Sequence, residues 1–144
     1  MKKNLYTAIG LMSGTSMDGV DASLVRSDGL NEYSNILDEY YKFDDKLYQK
    51  LINLRNLIHS KDSLIKYSKD LNEVERDLTI FHGKIVNEIV KKYKDEIDLV
   101  GFHGQTIFHN PKIGISRQLG DGEFLSKLTN KKVVYDFRQE DILN

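Results

Sequence analysis

The sequence contains no cysteine, which excludes disulfides and thiolate metal sites. It holds a single proline, Pro111, set in a Gly/Pro/Lys turn. It has almost no net charge: 21 Lys and Arg stand against 22 Asp and Glu, for a balance of -1. That balance removes the electrostatic drive toward nucleic acid or an anionic membrane surface, and neither is expected as a partner. No apolar run approaches the length that crosses a bilayer. Met1-Lys2-Lys3 before the apolar stretch Leu5 to Met12 has the outline of an export signal. The stretch is short, contains Tyr6, Thr7 and Gly10, and runs into a Ser/Thr/Gly loop without a small-residue cleavage site. It reads as a first strand. Internal repeats, low-complexity tracts and linkers are also absent.

What is present fits one domain. The chain has 144 residues, 40% of them hydrophobic, enough to bury one core. Tyr6 to Met12 is short, apolar and ended by Ser13-Gly14, the pattern of a buried strand. Ala22 to Arg26 reads as a second strand after a turn at Asp18-Gly19, and Asp28-Gly29 marks another turn. Ile36 to Phe43 reads as a third, so the first quarter is an antiparallel meander. Asp44 or Asp45 then caps a helix with Leu47, Leu51, Leu54 and Ile58 on one face. One long helix is expected from about Asp62 to Tyr93, with Leu71, Val74, Leu78, Phe81, Ile85 and Ile89 as its stripe. His59 and His82 read as ordinary helix residues. Ile97 to Phe102, Ser116 to Leu119 and Val133 to Asp136 read as strands, with a helix over Asp121 to Leu128. Alternation of strand and helix is the mark of a parallel sheet.

The densest chemistry lies in Ser13-Gly14-Thr15-Ser16-Met17-Asp18-Gly19-Val20-Asp21. Two glycines let the backbone turn sharply and approach a ligand. Hydroxyls and backbone N–H groups can surround a phosphate, and Asp18 or Asp21 can hold Mg²⁺ directly or through water. The alternative is a hairpin turn whose Ser, Thr and Asp cap local backbone groups. The segment is not a P-loop, because no Gly-Lys-Ser/Thr follows and a strand rather than a helix comes next. A second constellation, Gly101-Phe102-His103-Gly104-Gln105-Thr106, sits at a strand's C-terminal end, where open α/β sheets bind ligands. His103, Gln105 and Thr106 offer donors and acceptors suited to sugar hydroxyls, or simply finish a polar strand end. His103 and His109 without a third ligand make a poor metal site. In Gln118-Leu119-Gly120-Asp121-Gly122, Asp121 is a candidate N-cap. Arg138 can clamp an anionic group or pair with Asp136 or Asp141.

Taken together these blocks resemble one family. Ile9-Gly10-Leu11-Met12-Ser13-Gly14-Thr15-Ser16-Met17-Asp18-Gly19-Val20-Asp21 is similar to the N-terminal signature of the anhydro-N-acetylmuramic acid kinases. His103-Gly104-Gln105-Thr106, Gln118-Leu119-Gly120-Asp121 and Asp136-Phe137-Arg138 follow in that family's order and approximate spacing. The resemblance implies an α/β fold: the N-terminal lobe of an actin/hexokinase-like (ribonuclease H-like) ATPase, an antiparallel three-strand meander followed by helices and parallel strands. It implies a bacterial cytoplasmic reaction of cell-wall recycling. ATP, Mg²⁺ and water convert 1,6-anhydro-N-acetylmuramic acid to N-acetylmuramic acid 6-phosphate: water opens the anhydro bridge at C1 and the released O6 takes the γ-phosphoryl group.

Carried over by position, Ser13, Gly14, Thr15, Ser16, Met17, Asp18, Gly19, Val20 and Asp21 match the ATP-phosphate and Mg²⁺ loop, with Asp18 as the metal contact through water. His103, Gln105 and Thr106 match the sugar-lining stretch, and Arg138 and Asp141 the stretch that leads into the cleft. The family's Gly-Gly-Gln-Gly loop, the later Asp that resembles the general base, and the second lobe have no counterpart in residues 1–144. The resemblance thus implies a catalytic base beyond Asn144, and no residue of this sequence is assigned that role. The expectation is a single N-terminal lobe, inactive or nearly so alone, with room for a homo-oligomer or a separate second lobe as partner. The competing readings are a non-catalytic nucleotide- or sugar-binding module of the same fold and another actin-like sugar kinase.

Overall fold

A computed structural model of the chain describes residues 4–138. Its core is a five-stranded sheet in the order β3-β2-β1-β4-β7. β1 (Tyr6–Met12), β2 (Gly19–Ser27) and β3 (Tyr33–Lys42) form the antiparallel meander. β4 (Leu99–Phe102) runs parallel to β1, and β7 (Val133–Val134) parallel to β4. The fold is the expected mixed α/β.

Alternation along β1 and β2 decides which face is covered. Ile9, Leu11, Val20, Ala22 and Leu24 are all at or below 3% exposure and join Val100 and Phe102 of β4 in one core. The helices α1 (Asp45–Leu57) and α3 (Ser68–Lys92) bring Leu51, Leu78, Val86 and Ile89 to that same core, each fully buried. Removing a leucine of this size from water is worth about 1.5–3 kcal/mol. The opposite face carries exposed Tyr6, Met12, Ile36 and Tyr40. β4 is seated by a reciprocal pair: the Thr7 amide donates to the Asp98 carboxylate at 2.7 Å, and the Asp98 amide to the Thr7 carbonyl at 2.8 Å.

Several expectations are refined. Asp44, not Asp45, caps α1, accepting from the Leu47 amide at 2.8 Å. β3 begins at Tyr33 rather than Ile36, because the Asp28 carboxylate gathers the amides of Leu30, Asn31 and Glu32, each at 2.9 Å, into a wider turn. The single helix expected from Asp62 to Tyr93 is two: α2 (Lys61–Lys66) and α3, broken at Tyr67. Ser60 and Ser63 cap each other reciprocally at the start of α2, and Tyr67 ends it by leaving helical geometry at φ -102°, ψ 22°. β7 is cut to two residues, and Asp136 no longer belongs to it, having turned to φ 64°.

The largest departure follows β4. The chain does not continue in the sheet but turns at Gly104 into a separate antiparallel hairpin, β5 (Gln105–Asn110) and β6 (Ile115–Leu119). Gly104 adopts φ +77°, and a Cβ there would stand 2.2 Å from the Leu119 carbonyl oxygen. Only glycine permits this combination of turn and contact. α4 (Gly122–Thr129) then leads back to β7.

Candidate functional site

β1, β4 and β7 are parallel, so the segments that leave their C-terminal ends share one edge of the sheet. Leu11 is paired with Phe102, and the His103 amide still donates to the Leu11 carbonyl at 3.4 Å. The loop 13–18 and the turn 103–104 are therefore side by side. Residues 136–138 come to the same edge: the Arg138 Nε lies 3.5 Å from His103 Nε2. His103 Nδ1 is 3.1 Å from the Gly104 carbonyl. A carbonyl only accepts, so Nδ1 carries the proton and Nε2 is free to accept from Arg138. Asp141, paired with Arg138 in the sequence reading, lies outside the described residues. So does Asn144, the residue beyond which the family resemblance puts the catalytic base.

The loop is held at its back and open at its tip. Ser13 is 2% exposed; its one hydroxyl proton is shared between the Gly19 carbonyl at 2.9 Å and the side-chain carbonyl of Gln105. Met17 takes φ 56° and buries its side chain to 3% exposure. Its amide returns to the Gly14 carbonyl at 3.2 Å. The Phe43 amide donates to the Asp18 carbonyl at 2.9 Å. Between these anchors Gly14, Thr15, Ser16 and Asp18 are exposed. Val20 belongs to the core, and Asp21 is an exposed strand residue paired with Tyr40.

Asp18 is oriented by two hydroxyls. The Ser16 hydroxyl donates to its Oδ1 at 2.6 Å. That bond first, and one from Tyr40 second, hold the carboxyl below the usual carboxylate range. The tyrosine answers in the opposite sense: desolvation, then the bond to Asp18, push its phenol up. Gly19 makes room for it, since a Cβ there would lie 2.5 Å from the Tyr40 hydroxyl oxygen. The sequence reading missed Tyr40. The one available signal was the register of a meander that places β3 beside the strand following the loop.

Gln105 does not face the open edge. It is 1% exposed, and its Nε2 donates to the Gly14 carbonyl at 3.0 Å. Thr106 is half-buried, and its hydroxyl accepts from Gln118 Nε2 at 3.1 Å. The Gln118–Asp121 block acts as a brace. Glu75 of α3 accepts from Arg117 and from the Gly120 amide, each at 3.0 Å, and the Asp121 amide donates to Thr79 at 3.0 Å. Asp121 caps α4, accepting from the Phe124 amide at 3.0 Å. Asp121→Ala should lower stability by about 1 kcal/mol, read as a fall in the thermal midpoint. An unchanged midpoint would remove the cap from this account.

The edge thus presents an oriented carboxylate, two exposed loop hydroxyls and glycine backbone on one side, and an Arg–His pair on the other. The model of the anhydro-N-acetylmuramic acid kinase family matches residues 6–144. The chain belongs to this family. It is 54% identical over 142 residues to an anhydro-N-acetylmuramic acid kinase of Pelagibacter ubique (strain HTCC1062), an alignment spanning 99% of this chain and 38% of that protein. It is 38% identical over 144 residues to that of Agrobacterium fabrum (strain C58 / ATCC 33970) and 39% identical over 146 residues to that of Brucella canis (strain ATCC 23365 / NCTC 10854 / RM-666). In both cases the alignment covers 96% of this chain and 38% of the relative. The chain therefore spans 38% of the length of these anhydro-N-acetylmuramic acid kinases and corresponds to their N-terminal part. Its five-stranded mixed sheet with packed helices is consistent with the N-terminal lobe of an actin/hexokinase-like ATPase. No helix among the described residues is long and apolar enough to cross a membrane.

Proposed function

We propose that this chain provides the phosphate-holding side, and part of the sugar side, of an ATP-dependent kinase acting on 1,6-anhydro-N-acetylmuramic acid in cytoplasmic cell-wall recycling. The observation that carries the reading is the convergence of the exposed Gly14–Asp18 tip with His103 and Arg138 at the C-terminal edge of parallel strands. Ligands of open α/β sheets bind at that edge. The tip's backbone amides and the hydroxyls of Thr15 and Ser16 bind phosphate oxygens. His103, Thr106 and Arg138 orient the sugar, Arg138 bearing the positive charge that a sugar carboxylate requires. Gln105 supports these contacts from within.

The residues present fit Mg²⁺. Among the described residues no group of three or more His, Asp or Glu forms a cage for a metal. Mg²⁺ needs none: it keeps its waters and takes one or two carboxylates plus substrate phosphates. Asp18, exposed and held ionised, would be its carboxylate. Bound Mg²⁺ neutralises charge developing on the transferring phosphoryl group. Phosphoryl transfer draws on groups from both walls of a closing cleft, and the described residues form one wall. The base that activates water is not among the groups assigned to this edge.

Titration of the chain with Mg²⁺ and a non-hydrolysable ATP analogue tests the loop. Thr15→Ala with Ser16→Ala should weaken binding about tenfold or more, or about 1.4 kcal/mol. An unchanged affinity would return the segment to a hairpin turn that merely caps itself. Incubation with ATP, Mg²⁺ and the anhydro sugar should yield little sugar phosphate from this chain alone. Turnover in the range of ordinary enzymes, near ~10 per second, would show that one wall suffices.

A further inference from the structure

We propose that Gln105 is a positioning residue of the phosphate loop, and that it ties the shape of that loop to the strand end presenting His103 and Thr106. What the loop binds rests on the function proposed above; the tie itself rests on geometry.

A glutamine amide has two N–H donors and one carbonyl acceptor. In Gln105 all are directed into the protein. Nε2 donates to the Gly14 carbonyl at 3.0 Å and more weakly to the Thr106 carbonyl at 3.4 Å. Oε1 accepts from the Ser13 hydroxyl. With 1% exposure, the side chain cannot touch a sugar at the open edge without abandoning these bonds, and buried polar groups left unpaired are expensive.

What it holds is specific. The rear of the loop has its own anchors, the buried Met17 side chain and the Phe43 amide on the Asp18 carbonyl. The front, Ser13 and Gly14, is met by Gln105 from 92 and 91 residues away. Gly104, at φ +77°, throws the chain out of β4 so that the next side chain turns back under the loop. Through one residue, any shift of the 103–106 segment on sugar binding is felt at Gly14. Such shared contacts are the physical basis of coupling between two ligands.

Gln105→Met keeps nearly the same volume and removes every hydrogen bond. Ser13 retains Gly19, and the Gly14 carbonyl retains the Met17 amide, so the chain should still fold. Amide hydrogen exchange in the free chain is the first readout. Exchange at Met17 and its loop neighbours should quicken about tenfold while β1 and β2 keep their protection. Calorimetry is the second. The affinity for Mg²⁺ with the ATP analogue should fall about tenfold, and that for the anhydro sugar should stay within about twofold. Ser13→Ala also removes the bond to Gly19, so adding it to Gln105→Met should quicken exchange further, but by less than the two single effects combined, because the Ser13–Gln105 contact is lost only once. A tenfold loss of sugar affinity with loop exchange unchanged would make Gln105 a direct sugar ligand and overturn the proposal. So would exchange that quickens equally across β1, β2 and the loop, the signature of general destabilisation. If the unaltered chain binds no nucleotide, the phosphate-loop reading fails, and the exchange experiment still decides whether Gln105 holds the loop.

Discussion

Gly104→Ala should lower the stability of this domain by about 2–5 kcal/mol, a large part of the ~5–15 kcal/mol that folded domains typically have. Two terms add. At φ +77° an L-residue meets its own carbonyl, at about 1–2 kcal/mol. The new methyl would also lie 2.2 Å from the Leu119 carbonyl oxygen. That oxygen is backbone, so no rotamer change relieves the overlap; β6 must move, and forced insertion into a packed site adds about 1–3 kcal/mol. The displaced strand is paired with β5 through Gln105 and Leu119, so the strain passes into Gln105, which bonds Ser13 and the Gly14 carbonyl. Thermal unfolding should show a midpoint roughly 5–15 °C below that of the unaltered chain. Gly10→Ala is the control: it lies in β1, and a Cβ there meets nothing within 4 Å, so its midpoint should scarcely move. Equal midpoints for the two variants would show that the β4–β5 turn relaxes freely and that its close contact with Leu119 is not a constraint.

The same turn explains what the sequence reading reached and what it missed. β1, the meander and the α3 stripe were legible because each is written locally: a short apolar run from Tyr6 to Met12, turns at Asp18-Gly19 and Asp28-Gly29, and apolar residues every third or fourth position from Leu71 to Ile89. The Asp121 cap was legible because capping is a property of neighbours. Ser116 to Leu119 was legible as a strand and makes up most of β6, but its pairing with β5 in a hairpin was not, because a glycine after a strand signals a turn without giving its direction. The break at Tyr67 carries no glycine or proline at all. Of the site, the residue types were legible and their allotment was not. Gln105 and His103 look alike on a polar strand end, yet one is 1% exposed beneath the loop and the other lies by Arg138 at its edge. Tyr40 joins Asp18 only through strand register. Contacts made between residues 91 and 92 apart leave no trace in any window of sequence.

Acid should destabilise the domain between about pH 6.5 and 4, and His82 should account for about 3 kcal/mol of it. The residue is fully buried, with its ring 4.9 Å from Phe102 and 6.4 Å from Phe81. Nδ1 lies 2.8 Å from the Leu78 carbonyl and must carry the proton; Nε2 has no partner among the described residues. A second proton would put an unpaired charge in the core. Burial therefore pushes the imidazole down to about 4, against a weaker upward pull from the Leu78 carbonyl. The unfolded chain binds this proton near pH ~6.5 and the folded chain only near pH 4. Between those values the unfolded state holds more protons, so stability falls as pH falls. The loss levels off below the folded value. The carboxyls of Asp18, Asp28, Asp38 and Glu39 are also held below their usual range, but their contribution is lost at lower pH. Urea unfolding at pH 7 and at pH 4.5 should differ by about 2–3 kcal/mol for the unaltered chain, and by far less for His82→Leu. A slope that survives His82→Leu would place the acid sensitivity elsewhere. Because His82 packs on Phe102, the last residue of β4 before His103, its protonation in the folded chain near pH 4 should loosen that strand end.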